Sequence, residues 1–192
     1  IMSRQPSLFI SHGAPLFALD PGVAGAALSS MGREHPRPKA VLVVSPHWAS
    51  PRLRVGAHAT PATIHDFGGF PAPLYALQYP APGNPALAAR VQALLAQAGL
   101  EAALDPARGL DHGAWVPLMH LFPEADVPVV PLSMDPRQGP AYYLALGRAL
   151  RPLRDEGVMI IGSGSITHNL YEFSPQAAMP QGDQGGGGHG GH

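Results

Sequence analysis

Three runs of apolar residues in this chain each reach a serine and then, within a few residues, a histidine. They are Leu8-Phe9-Ile10-Ser11-His12, Val41-Leu42-Val43-Val44-Ser45-Pro46-His47, and Val158-Met159-Ile160-Ile161-Gly162-Ser163, which continues through Gly164-Ser165-Ile166-Thr167 to His168. Apolar runs of this length read as buried parallel strands. In open α/β sheets the ligand site lies just past the carboxyl ends of the strands. If the three runs share a sheet, His12, His47 and His168 converge at one edge of it. Imidazole suits zinc, iron, copper and nickel, so the pattern predicts a mononuclear metal site with His12, His47 and His168 as ligands. Taken singly, each reads more readily as a strand-end imidazole bonded to a nearby carbonyl than as a ligand; the shared placement carries the argument.

A fourth histidine, His112, lies in Gly109-Leu110-Asp111-His112-Gly113-Ala114-Trp115, just ahead of an expected helix and next to an acid. An imidazole there can donate and accept protons near neutral pH. The plainer alternative is a surface-loop histidine held by Asp111. The remaining histidines have no such setting: His35, His189 and His192 fall in loop or tail, and His58, His65 and His120 are not at clear strand ends.

Other chemistries lack their signatures. The glycine- and serine-rich Gly162-Ser163-Gly164-Ser165 lacks the Lys-Ser/Thr ending of a phosphate-binding loop. It also lacks the spacing of a serine-hydrolase nucleophile turn. No His-Glu-x-x-His run is present, which counts against a zincin protease. No dinucleotide fingerprint follows the first strand. With no cysteine, disulfides and thiolate metal sites are excluded, so a metal must use His, Asp, Glu or water.

The elements that must position these residues alternate along the chain. Leu8–Ser11 is the first expected strand, followed by a helix around Val23–Met31. Ala40–Ser45 is the clearest buried strand, and Leu53–Ala57 a shorter one. Residues 59–82 are rich in proline, glycine and aromatics without a clean period, a long loop of the kind that is functional or disordered; its aromatic content argues for order. Asn84-Pro85 opens the best helix, with Asn as N-cap and Pro at the first helical position, and Gly99 ends it. A helix over Gly113–Leu121, a strand over Val127–Ser133, a helix over Ala141–Arg151 and a last strand over Gly157–Ser163 complete the series. Strands alternating with helices predict an α/β domain with a predominantly parallel central sheet flanked by helices. Residues 1–173 are expected to form that single domain, and residues 174–192 a glycine-rich, low-complexity tail.

At 192 residues and 45% apolar, the chain has enough material for one sizeable core. The charge balance of 12 basic against 13 acidic residues leaves a net charge of −1. No basic stripe supports nucleic-acid binding, and no polybasic segment suits an anionic membrane surface. No apolar run approaches a membrane span, and residues 1–6 are too short for a signal peptide, so a cytoplasmic protein is expected. The oligomeric state is not legible in these patterns.

Six motifs in series resemble those of a known family: Ser11-His12-Gly13-Ala14-Pro15, Ser45-Pro46-His47-Trp48, Ile64-His65-Asp66-Phe67-Gly68-Gly69-Phe70-Pro71, Tyr79-Pro80-Ala81-Pro82-Gly83, Leu110-Asp111-His112-Gly113-Ala114-Trp115-Val116-Pro117-Leu118 and Gly162-Ser163-Gly164-Ser165-Ile166-Thr167-His168-Asn169-Leu170. They resemble the 4,5-DOPA extradiol dioxygenases, a branch of the class III, LigB-type ring-cleaving dioxygenases. The resemblance runs from Leu8 to Leu170 in order. It implies a non-haem Fe(II) oxidoreductase that opens a catechol-type ring beside its two hydroxyls using O₂, with Zn(II) an alternative occupant of the same site. It implies His12 and His47 as metal ligands, His168 as a further histidine at the metal centre, and His112 as the acid/base, a role His168 shares. Phe67, Phe70, Tyr75 and Trp48 are then candidates for an apolar slot around a flat ring. Chains of the family continue to a Pro-Thr-x-Glu-His-type segment whose histidine completes the site. This sequence has His189 and His192 in a glycine-rich tail instead, poor support for a precise ligand. Two competing functions remain on the same scaffold: a zinc-dependent hydrolase and a non-enzymatic binding protein.

Overall fold

The computed structural model describes residues 4–5, 7–10 and 22–163. In chain order its elements are β1 (Ser7–Ile10), α1 (Gly22–Glu34), β2 (Ala40–Ala49), β3 (Leu53–Gly56), α2 (Ala72–Ala76), α3 (Pro85–Gln97), β4 (Ala102–Asp105), α4 (His112–Leu121), β5 (Val129–Met134), α5 (Pro140–Leu150), α6 (Pro152–Asp155) and β6 (Val158–Ser163). The strands form one sheet in the order β1-β6-β2-β5-β3-β4. β1, β6, β2 and β5 are mutually parallel. β3 runs antiparallel to β5 and carries β4 alongside it. The sheet is therefore the predominantly parallel one expected, with a reversed pair at one edge.

The central strands are apolar throughout because both faces are covered. Val41 and Val43 of β2, Val129 of β5, and Met159 and Ile161 of β6 pack with Leu28 of α1 and with Trp115, Leu118 and Leu121 of α4. Leu42, Val44, Val130, Leu132 and Ile160 point the other way, onto Leu87, Val91 and Leu95 of α3 and Leu146 and Leu150 of α5. Successive residues of a strand alternate faces, so one run of valines and leucines feeds two cores. α4 is buried from His112 through Leu118, as a helix apolar on nearly every side must be. α1 lies so close against it that a Cβ on Gly32 would fall 1.9 Å from the Leu121 carbonyl oxygen.

Local signals account for the helix ends. The Asn84 side chain accepts from the Leu87 N–H at 3.0 Å, satisfying an otherwise orphaned donor. Gly99 beyond α3 takes φ +79°, which glycine adopts without steric cost.

Three elements had no clear sequence signal: β4, α2 and α6. β4 (Ala-Ala-Leu-Asp) has weak strand propensity and exposes Leu104; its pairing with β3 makes it a strand. β2 also runs four residues past the expected Ser45. Between Val44 and Ala49 it advances five residues while its partner β5 advances only from Leu132 to Met134. The ladder therefore bulges at Ser45-Pro46-His47-Trp48, and a bulge re-aims the side chains it carries.

Candidate metal centre

The sheet register sets the stage. Phe9, Gly162 and Val44 lie level across β1, β6 and β2, and Ile10 pairs with Ser163. The three strands that lead toward His12, His47 and His168 are thus neighbours, parallel, and end at one edge. His12 and His168 lie outside the described residues. His47 is on the β2 bulge at that edge, its side chain reaching solvent.

A buried polar strut fixes the bulge. The Ser45 hydroxyl donates to Asp111 Oδ1 at 2.7 Å and accepts from the His47 N–H at 3.2 Å. Asp111, only 1% exposed, takes a second, charged bond on Oδ2 from Arg108 at 2.8 Å. The Arg108 guanidinium lies 4.8 Å from the centre of the Trp48 ring, within cation–π range. Trp48 is therefore buried beneath Arg108 rather than standing with the other aromatics of the expected slot.

Asp111 occupies the N-cap position of α4, yet its side chain makes no capping bond, being engaged by Ser45 and Arg108. Asp66, from the long loop, takes that place. Its Oδ1 accepts from the His112 backbone N–H at 2.9 Å and lies 2.9 Å from His112 Nδ1. So His112 is the first residue of the helix, 5% exposed, and its ring faces Asp66 rather than Asp111. On the other side the His47 and His112 rings lie 3.9 Å apart, centre to centre.

Among the described residues His47, Asp66 and His112 form a set with metal-binding spacing, their ligand atoms all within 4.8 Å of one another. Nitrogen and carboxylate donors with no thiolate suit zinc or non-haem iron, but Asp66 and His112 face each other at 2.9 Å, which leaves His47 as the candidate ligand of this set. Partial desolvation at the edge lowers the His47 pKa, helped by His112 and partly offset by Asp111 and Asp66; the neutral, ligating form prevails at neutral pH. Burial works against ionisation of Asp66, but the hydrogen bonds from the His112 ring and backbone outweigh it and hold the carboxyl below its usual range.

An aromatic wall adjoins the set. Phe67 meets the His112 ring edge-on at 5.6 Å and packs on Tyr75 at 5.0 Å and Phe70 at 5.7 Å. Trp115 anchors the loop from below, donating from Nε1 to the Ile64 carbonyl at 2.8 Å. His65 Nε2 lies 2.7 Å from the Leu77 carbonyl, which accepts only and so fixes a proton on that nitrogen; His65 holds the loop together. His58 accepts from the Thr60 N–H at 2.9 Å in a local turn.

The sequence patterns singled out His47 and His112, and the fold brings them together. They did not single out Asp66 as a site residue. The available signal was an acid inside a long aromatic- and glycine-rich loop; its partner 46 residues away was not legible.

Comparison with known proteins agrees with this geometry. Residues 8–184 match the family described as the catalytic LigB subunit of aromatic ring-opening dioxygenase. The 4,5-DOPA dioxygenase extradiol of Escherichia coli (strain K12) is 46% identical over 169 residues, covering 88% of this chain and 62% of the relative. That of Beta vulgaris is 49% identical over 168 residues, covering 85% and 63%. The chain thus spans somewhat less than two thirds of the length of these curated relatives. The crystal structure of an uncharacterised protein from Escherichia coli K12 superposes with a TM-score of 0.67 at 36% identity, covering 85% of this chain and 61% of that one. No helix among the described residues is long and apolar enough to cross a membrane. With its motifs in series, its parallel sheet and its histidine–aspartate centre at the carboxyl edge, the chain belongs to the LigB family of aromatic ring-opening dioxygenases.

Proposed function

We propose that this protein is an extradiol dioxygenase that opens a catechol-type ring with O₂, using Fe(II), with Zn(II) able to occupy the same site. The observation that carries the reading is the close, tilted approach of the His47 and His112 rings, with Asp66 at the far side of His112, at the carboxyl edge of the sheet. His47 serves as a ligand together with His12 and His168, whose strands end beside β2. A bound divalent ion supplies Lewis acidity toward a catechol hydroxyl and open coordination positions.

The protein's own groups supply the rest. His47 stays neutral, so its lone pair is available. His112 is the proton acceptor for a catechol hydroxyl and returns the proton later; His168 is the second candidate for that transfer in the alternative where it does not ligate the metal. A carboxylate facing Nδ1 orients an imidazole and sets which nitrogen is basic. Phe67, Phe70 and Tyr75 offer apolar edges and faces to a flat ring and keep water from it.

The test is anaerobic Fe(II) loading followed by oxygen uptake with catechol substrates. Stoichiometric O₂ consumption with appearance of a ring-opened, visible-absorbing product supports the proposal. Zinc-loaded protein that hydrolyses esters while the iron-loaded form consumes no oxygen would replace it with the hydrolase. Protein that binds neither metal would leave a binding protein on this fold.

A further inference from the structure

We propose that Asp66 is a positioning residue that selects the working nitrogen of His112. The inference rests on the acid/base assignment of His112 made above.

One atom, Asp66 Oδ1, meets His112 twice, at the backbone N–H and at ring Nδ1, each at 2.9 Å. The first contact ties the carboxylate to the start of α4; the second sets the rotation of the ring on that backbone. Because an ionised carboxylate only accepts, the 2.9 Å approach of Asp66 Oδ1 favours the neutral imidazole with its proton on Nδ1. The lone pair is then on Nε2, at the opposite side of the ring. The acid adjacent in sequence cannot do this, since both Asp111 oxygens are taken by Ser45 and Arg108.

The next residue completes the clamp. Phe67 packs edge-on against the same ring at 5.6 Å, so residues 66 and 67 hold His112 by a polar and an apolar contact from one short stretch of loop. His47 closes the remaining face at 3.9 Å. The loop thus presents the aromatic wall and sets the base together.

A purely structural role makes a different prediction, which allows a test. As a helix N-cap, asparagine serves about as well as aspartate. Asp66→Asn therefore keeps the cap but offers Nδ1 an amide that can donate, freeing the other tautomer. Elsewhere the same change beside a catalytic histidine costs about 10⁴ in kcat through the wrong tautomer.

The experiment reads the ¹⁵N shifts of His112 in metal-free, histidine-labelled chain, assigned by its loss in His112→Gln. It is joined to kcat and KM for oxygen uptake with catechol in wild type and Asp66→Asn. The expected result is an Nδ1–H tautomer in wild type, a mixed or inverted tautomer in Asp66→Asn, and kcat lower by about 10²–10⁴-fold with KM little changed. An Nε2–H tautomer in wild type overturns the proposal, and that spectrum decides even where Asp66→Asn does not fold. An Asp66→Asn protein with wild-type tautomer and kcat overturns it too. If wild type consumes no oxygen with any catechol, the dioxygenase reading fails, while the tautomer comparison still decides the role of Asp66.

Discussion

Gly113 is the second residue of α4, where helix propensity alone favours alanine by about 1 kcal/mol. The tertiary structure reverses that preference. A Cβ at Gly113 would lie 2.4 Å from Ser45 Oγ, 2.7 Å from His47 Cδ2 and 3.1 Å from Asp111 Oδ1, where ordinary contact begins at 3.4 Å. The serine hydroxyl must swing away, which breaks its bond to the buried Asp111 carboxylate; hydrogen bonds to charged groups are worth about 1.5–3 kcal/mol. The His47 ring must retreat by about 0.7 Å, and overpacking of this kind costs about 1–3 kcal/mol. The two costs overlap, since one shift relieves part of the other. After the propensity gain the net expectation is a loss of about 1–3 kcal/mol, or roughly 3–10 °C in Tm for a chain of this size. Metal affinity should fall by about tenfold or more, the scale of lost outer-sphere support. Thermal unfolding of the metal-free protein and competition against a chelator measure the two effects separately. A Gly113→Ala protein with a higher Tm and unchanged metal affinity would refute the reasoning, because it would mean that α4 does not abut the β2 bulge as described.

The remaining expectations concern the histidines and one acid-sensitive turn. His47→Ala should purify without stoichiometric metal while keeping its fold, since the side chain is at the exposed edge; elemental analysis with circular dichroism decides it, and full metal content would remove His47 from the ligand set. His112→Ala should retain metal and substrate affinity but lose about 10²–10⁴-fold in kcat; loss of metal would instead place His112 among the ligands. Asp135, 1% exposed, accepts from Arg137 and Gln138, and the Arg137 hydrogen bond leads in holding its carboxyl well below the usual range. A depressed carboxylate stabilises the fold above its unfolded pKa of about 3.9 and loses that contribution as pH falls toward the folded value. Asp135→Asn should therefore lower Tm at pH 7 and narrow its gap to wild type below about pH 4; an equal gap at both pH values would count against the pairing.

The strand over Ala40–Ser45 was legible because a strand covered on both faces needs no polar alternation, so its composition alone announced it. Asn84-Pro85 and Gly99 marked the ends of α3 because capping and positive φ are satisfied within a few residues. The order β1-β6-β2 was not legible, yet it is what makes three separate Ser-and-His strand ends neighbours. β4 escaped notice because Ala-Ala-Leu-Asp becomes a strand only against β3. Trp48, expected in the aromatic slot, is held under Arg108 by a charge contact its own neighbourhood does not foretell.

The sequence by itself determined the chemistry available: imidazoles without thiols, apolar runs for a parallel sheet, aromatics in one long loop, and the motifs that place the chain in its family. Those are properties of residue type and short spacing, and local physics reads them directly. Only the tertiary structure decided that Asp66 and not Asp111 faces His112, and that Gly113 must lack a side chain beside His47. Both depend on contacts between segments 46 or more residues apart, and such contacts are set by how the sheet and α4 pack, which no local pattern encodes.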